Sequence, residues 1–315
     1  MSEITLSVVT PCFNEVASIE RCVDALSQVM ASQLPGVAYE HILTDNASTD
    51  GTAAILRKIA QENSQVKVII RSRNVGAQKN IYSALVHARG SAVIPMLPAD
   101  LQDPAEVIPK LFNEWQKGFN IVYGVRSNRE ENLILRKFRT LYYKVIHKFS
   151  DATIVANAGE FMLVGRRVLD SILEVSAQNP FIRGLVAQSG ASFTTVSYTW
   201  AKRKEGKSKA TFLVLIDQAI NGLVSTSRIP ARLALLFGFG LSIISILLGI
   251  YSGLATLLGQ GATLPGVPTI IVTIFLLSGI QLFFLGLIGE YILSIHSQIK
   301  PEPNSFAVEM INFDN

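Results

Sequence analysis

Acid and amide side chains crowd into one short stretch of this chain, Pro98, Ala99, Asp100, Leu101, Gln102, Asp103 and Pro104. The apolar run at residues 92–96 before it predicts a buried strand, and Asp103, Pro104 and Glu106 have the pattern of a helix start. The acids therefore stand at the carboxyl end of a strand, the edge at which open α/β sheets bind ligands. A carboxylate at Asp100 beside an amide oxygen at Gln102 suits a hard cation, Mg²⁺ or Mn²⁺, holding a diphosphate. For Asp103 the plainer role of helix cap is also open.

The elements that position these groups repeat one pattern. Residues 4–11 form an apolar β-branched run ending in Pro11, Cys12, Phe13, Asn14 and Glu15, and helical spacing follows over 16–30, with Asn14 available as its cap. A strand closing at 41–43 leads into Asp45, Asn46, Ser48, Asp50 and Gly51, then a helix over 53–62. A strand at 66–70 leads into the turn Arg73, Asn74, Val75 and Gly76 and a helix through residue 88. Strands alternating with helices at this spacing predict a mainly parallel sheet with right-handed crossovers. Glu15, Asp45 and Asp100 then share one rim, where polar groups can bind a nucleotide. No Gly-x-Gly-x-x-Gly follows the first strand and no Gly-rich loop carries a Walker lysine, so neither a dinucleotide fold nor an ATPase is indicated.

A further strand is expected over 120–123, and residues 135–149 carry Leu135, Phe138, Tyr142, Val145 and Phe149 on one helical face with basic residues opposite. Such a helix fits a lipid interface or an ordinary solvated surface. Residues 156–163 are a loop entering a strand, with Glu160 either a site acid or a lone surface glutamate. The loop 203–209 gathers Arg203, Lys204, Lys207, Ser208 and Lys209 around Gly206, groups that hold a phosphate or touch lipid headgroups.

Of the 315 residues 49% are hydrophobic and 17% charged, and the excess is local. Between Leu233 and Gly289 there is no Asp, Glu, Lys or Arg. This span holds two apolar blocks, 233–258 and 269–295, each matching the roughly 20 residues a bilayer crossing needs, and a compact turn joins them. Basic residues precede the first block, His296 and Lys300 follow the second, and the turn has none, which predicts both ends on the cytoplasmic side of the cell membrane. The N-terminus enters a strand directly, so no signal peptide is expected. Cys12 and Cys22 lack metal-site spacing and read as small core residues. The net charge of +4 gathers near the apolar blocks without interleaved aromatics, which points to an anionic membrane surface or lipid phosphate and away from nucleic acid.

Taken in order, the opening strand to Glu15, the loop 45–52, the turn 73–76, the Ala99-to-Pro104 motif, the loop 203–209 and Gly289, Glu290, Tyr291 and Ile292 resemble a known family. It is the membrane-anchored family-2 glycosyltransferases of the polyprenyl-phosphate class, which includes dolichyl-phosphate mannose synthases and bacterial undecaprenyl-phosphate glucosyl and aminoarabinosyl transferases. The resemblance implies a GT-A catalytic domain over 1–210, a juxtamembrane amphipathic helix over 211–232, a two-helix transmembrane hairpin over 233–295 and a cytoplasmic tail over 296–315. Pro11, Glu15, Asp45, Asn74, Gly76 and Asp100 are then nucleotide-binding, Asp100 and Gln102 ligate the metal, and Arg126, Arg136, Arg203, Ser208 and Lys209 hold the lipid phosphate. Asp100, Asn157 and Glu160 fall at the catalytic positions. Pro98 stands where the family has the first acid of Asp-x-Asp, and Asn157 where many members have an Asp. The implied reaction is inverting transfer of a sugar from a nucleotide diphosphate sugar, UDP-linked by analogy, to polyprenyl phosphate. A non-catalytic membrane scaffold that binds nucleotide sugar is the alternative. Members of the group include tetramers, which leaves homo-oligomerisation open.

Overall fold

The computed structural model describes residues 4–127, 155, 158–175, 180–200, 236–241, scattered positions to 258, 266–299 and 306–313. Two compact units emerge, Met1–Thr211 with Pro301–Asn315, and Phe212–Lys300.

The first unit is built on an eight-stranded sheet. Its strands are β1 (Leu6–Cys12), β2 (Tyr39–Asp45), β3 (Val66–Arg71), β4 (Ala92–Ile94), β5 (Ile121–Arg126), β6 (Ala158–Gly165), β7 (Phe193–Tyr198) and β8 (Ala307–Ile311), in spatial order β7-β5-β6-β4-β1-β2-β3-β8. β1 pairs in parallel with β2 and β4, β2 with β3, and β5 with β7, whereas β6 and β8 run antiparallel to their neighbours. Helices α1 (Ile19–Gln33), α2 (Thr52–Glu62) and α4 (Ile108–Gln116) contribute to a core that includes Leu6, Val8, Leu43 and Val68. Helices α3 (Ala77–Leu85), α5 (Arg166–Glu174) and α6 (Ile182–Gln188) pack on the other face, with Val9, Ile42 and Ile69. Alternate residues of one strand thus feed opposite layers, as the two-residue period of a strand requires. α1 buries Ile19, Cys22, Val23, Leu26, Val29 and Met30, one face at helical spacing. Cys12 and Cys22 are free and buried, as expected.

The chain's end departs from the expected tail. β8 pairs with β3 and is tied down by side chains: Arg57 grips Glu309, within the strand, through both carboxylate oxygens at 2.7 and 2.8 Å. The Asn312 amide donates to the carbonyls of Ala60 and Val66 at 2.7 and 2.8 Å. Alternation in residues 307–311 was the available signal, masked by the short length of the stretch and its place after an apolar block.

In the second unit, residues 236–241 are helical and α7 (Gly266–Ile299) is continuous over 34 residues. Phe237 and Phe284 approach to 6.0 Å between ring centroids. Leu282, Phe283 and Ile292 are each at least 60% exposed, so the helix presents large apolar side chains on its surface. Among the described residues, no helix is long and apolar enough to cross a membrane.

Candidate functional site

Loops at the carboxyl ends of β1, β2 and β3 are stitched to one another by side chains. After β1, the backbone N–H of Asn14 donates to Ser48 Oγ (2.9 Å), that of Glu15 to Thr52 Oγ1 (3.0 Å) and that of Val16 to Asp50 Oδ2 (3.2 Å). The Thr49 N–H in turn donates to Asn14 Oδ1 at 2.8 Å. Asn14 therefore does not cap α1, whose N-cap is Ser18; it bridges two strand-end loops. Asp45 is 1% exposed, and its carboxylate accepts from the N–H and Oγ of Ser48 at 3.0 and 2.5 Å, which shapes the loop from behind. Asn74 Oδ1 accepts from Asn46 Nδ2 and from the Gly76 N–H, both at 2.9 Å, and Asn46 Oδ1 accepts from the Val75 N–H at 2.9 Å. Gly76 has φ 84°, a conformation that favours glycine, and leads straight into α3.

Backbone strain gathers at this rim. Asn14 (φ 56°), Ala47 (60°) and Leu101 (55°) adopt the left-handed conformation in the loops after β1, β2 and β4. For Ala and Leu that costs about 1–2 kcal/mol each, and such strain clusters where geometry serves function.

A cleft opens between these loops, lined by Pro11, Phe13, Glu15, Asn46, Ala77, Asn80, Pro98, Asp100, Gln102 and Arg126 among others. Five positions singled out in the sequence, Pro11, Glu15, Asp100, Gln102 and Arg126, thus converge. Glu15 accepts from Ser18 Oγ at 2.7 Å, and Asp100 Oδ1 accepts from the Gln102 N–H at 3.1 Å.

Asp103 has a different role from the helix cap its sequence context allows. Only 2% exposed, it receives Arg126 Nε (3.0 Å) and Nη2 (2.8 Å) as a two-pronged ion pair and the Tyr198 hydroxyl at 2.5 Å. The 3₁₀ turn Ala105–Val107 begins after Pro104 with no side-chain cap. The Arg126 guanidinium lies over the Trp200 ring, 5.0 Å from its centroid.

Asp100 and Gln102 supply one carboxylate and one amide oxygen, and Asp103 is committed to Arg126. Among the described residues no group of three His, Cys, Asp or Glu side chains is placed to hold a metal. This donor set does not make a closed protein cage. It fits an ion that brings most of its coordination from substrate phosphates and water, as Mg²⁺ commonly does.

Glu160 lies half-buried on β6 and accepts from the Gln78 amide; Gln78 Oε1 in turn accepts from the Ile182 N–H at 3.3 Å. Burial pushes the Glu160 carboxyl above its ordinary range, against the pull of Gln78, Arg183 and Arg126. Arg183 donates to the Ala158 carbonyl at 2.7 Å. Asn157, Arg136, Arg203, Ser208 and Lys209 lie outside the described residues, as do the amphipathic stretch at 135–149 and the juxtamembrane helix at 211–232. Sequence reasoning named Asn46 only as part of the loop 45–52 and passed over Gln78, Asn80 and Arg183. For Asn80 a signal existed: an amide beside Ile81 and Ala84 on a buried helix face needs partners, and it finds Thr44 through its hydroxyl (2.7 Å) and carbonyl (2.9 Å).

Comparison with known proteins agrees with this architecture. The model described as "Glycosyl transferase family 2" matches residues 7–173. The chain is 33% identical over 301 residues to an uncharacterized glycosyltransferase of Synechocystis sp., covering 95% of this chain and 93% of the relative. It is also 33% identical over 299 residues to the SfII prophage-derived bactoprenol glucosyl transferase of Shigella flexneri, covering 95% and 96%. The putative glycosyltransferase CsbB of Bacillus subtilis is 30% identical over 315 residues, all of this chain and 94% of the relative. With its GT-A-like mixed sheet, its strand-end cleft and these matches, the chain belongs to glycosyl transferase family 2 and is an enzyme of the glycosyltransferase class.

Proposed function

We propose that this enzyme transfers a sugar, glucose being the first to test, from a UDP-linked donor to polyprenyl phosphate at the cytoplasmic face of the cell membrane. The observation that carries the reading is the full-length match to a relative named for bactoprenol glucosyl transfer, joined to a cleft holding Glu15, Asp100, Gln102 and Arg126.

A phosphate monoester has its second pKa at about 6, so near neutral pH the acceptor is largely a dianion and needs little deprotonation. One phosphate oxygen attacks the anomeric carbon while the bond from that carbon to the donor's β-phosphate oxygen breaks, and UDP departs with the electron pair. The configuration inverts. Asp100 and Gln102 would hold Mg²⁺ or Mn²⁺, which supplies charge neutralisation at the departing diphosphate. Pro11, Glu15 and the Asn46–Asn74 bridge shape the nucleotide side of the cleft. Arg126, with Arg136, Arg203, Ser208 and Lys209, orients the acceptor phosphate, and correct placement is the larger part of the barrier to be overcome. Glu160 orients the sugar hydroxyls or assists as a weak base, and Asn157 counts with it and Asp100 among the proposed catalytic residues.

The exposed apolar surface of α7 and the uncharged block at 233–258 support a two-helix membrane hairpin. Such an anchor keeps the catalytic unit beside a lipid that cannot leave the bilayer. The test is transfer by purified protein from a panel of radiolabelled UDP- and GDP-sugars to undecaprenyl phosphate, with Mg²⁺, Mn²⁺ or EDTA. Metal-dependent labelling from one donor is the expected result. No labelling from any donor, with nucleotide still bound, refutes the reaction.

A further inference from the structure

The contact between Asp103 and Arg126 joins residues 23 positions apart, and Tyr198 reaches Asp103 from 95 positions away. Three segments therefore converge on one guanidinium: the loop after β4, the end of β5 and the end of β7. A bidentate pair fixes the plane of an arginine as well as its position. Here Nε–H and one Nη2–H point at Asp103, with Tyr198 Oη also 3.3 Å from Nε. One face lies over Trp200. Gly159 presses close by: a Cβ there would come within 3.3 Å of Nη2. Among the described residues, the outer edge, Nη1 with the second Nη2–H, has no other hydrogen-bond partner, on a residue that lines the cleft beside Asp100 and Gln102.

We infer that Asp103 and Tyr198 are positioning residues that lock Arg126 against Trp200, so that its outer N–H edge forms a fixed receptor for a phosphate oxyanion. The inference rests on the proposed function for the identity of that oxyanion, the acceptor's phosphate monoester, but its geometry stands independently. A free arginine would have to be ordered each time the ligand binds, and clamping removes that cost beforehand. The arrangement also explains why a carboxylate only 2% exposed stands at the edge of an anion site. Asp103 borders the same cleft, but its carboxylate is taken up by Arg126 and the Tyr198 hydroxyl.

Trp200 supplies the test. The chain has two tryptophans, so Trp115→Phe leaves Trp200 as the only indole emitter. Detergent-purified protein in that background is titrated with farnesyl phosphate and, separately, with UDP, while Trp200 emission is followed. Farnesyl phosphate should give a saturable change. Tyr198→Phe, which removes one hydrogen bond, should weaken it about 2- to 12-fold, the equivalent of roughly 0.5–1.5 kcal/mol. Asp103→Asn should weaken it further, and UDP affinity should stay within about twofold in both variants, taking a neutral change as under 0.5 kcal/mol. Loss of UDP affinity instead would support the clamp but assign its oxyanion to the nucleotide diphosphate. Unchanged farnesyl phosphate binding in Tyr198→Phe, or none in the parent, overturns the inference. Intact binding with no sugar transfer in the donor panel would defeat the proposed reaction while the clamp stood.

Discussion

Replacing Lys67 by Met should destabilise the catalytic unit severely without touching its chemistry. Lys67 Nζ lies 2.6 Å from Glu40, with side-chain exposures of 7% and 1%. Glu40 also accepts from Ser7 Oγ at 2.5 Å and the Arg89 N–H at 2.6 Å. Removing the ammonium leaves a buried carboxylate that has lost one of the three donors named here. Breaking a buried pair costs about 3–5 kcal/mol, and the surviving donors place this case near 3. At about 2–4 °C per kcal/mol for a unit of this size, the melting temperature should fall by roughly 6–12 °C. Glu40→Gln in the same chain removes the stranded charge and should restore more than half of the loss, so the two single variants and the double variant form a thermodynamic cycle. Thermal melts of the purified protein, followed by intrinsic fluorescence, measure all four. Ser7 stands five positions before Cys12 on β1, about 16 Å at ~3.3 Å per residue, so this cluster occupies the amino edge of the sheet and the cleft the carboxyl edge. Transfer per folded molecule should be unaltered. A Lys67→Met loss below about 1 kcal/mol would refute the buried-pair energetics. A double variant that melts normally yet fails to transfer would refute the assignment of chemistry to the cleft.

The remaining expectations concern the site and its frame. Asp100→Asn should lower transfer on the order of 100-fold and raise the divalent ion concentration needed for half-maximal rate; equal metal dependence in variant and parent would dismiss Asp100 as a ligand. Because burial raises the Glu160 carboxyl, ionised Glu160 is lost as pH falls through a value above the ordinary carboxylate range, and the acid limb of the rate profile should lie there. Gln78→Leu, by removing a donor to the carboxylate, should move that limb to higher pH, with Arg183 and Arg126 still opposing the shift. The linkage to stability has the matching sign: a raised folded value favours folding at low pH and that contribution is lost as pH rises through it, so Glu160→Gln should gain melting temperature over the parent at pH above the raised Glu160 value and not below the ordinary carboxylate range. Deleting residues 306–315 uncovers the edge of β3 and should lower the melting temperature and promote aggregation measured by light scattering.

Much of the frame was legible because strand–loop–helix repeats carry local signals. β1, β2 and β3 and their loops follow from apolar runs that end in Asn, Asp and Gly, and strand polarity alone puts Glu15, Asp45 and Asp100 on one rim, where the structure has them. The antiparallel course of β6 between β4 and β5 was not legible, since nothing in an apolar run states its direction. Nor was the part played by Asp103. Its neighbours in sequence allow a helix cap, and only the fold reveals Arg126 and Tyr198 competing for its oxygens. Asn14 failed in the same way, because its partner Thr49 comes from the next strand's loop.

The returning strand has a consequence for how the protein is made. Arg57 and Glu309 are 252 positions apart, and at about 5–20 residues per second the ribosome needs roughly 13–50 s to deliver the second after the first. During that interval β3, whose six residues are all buried in the finished sheet, presents a bare edge, while the whole of the second unit is being synthesised. The sheet can close only after the second unit, Phe212–Lys300, has been made. A nascent molecule stalled or cleaved earlier keeps an adhesive strand on display, a mark by which chaperones and proteases can tell it from a finished one.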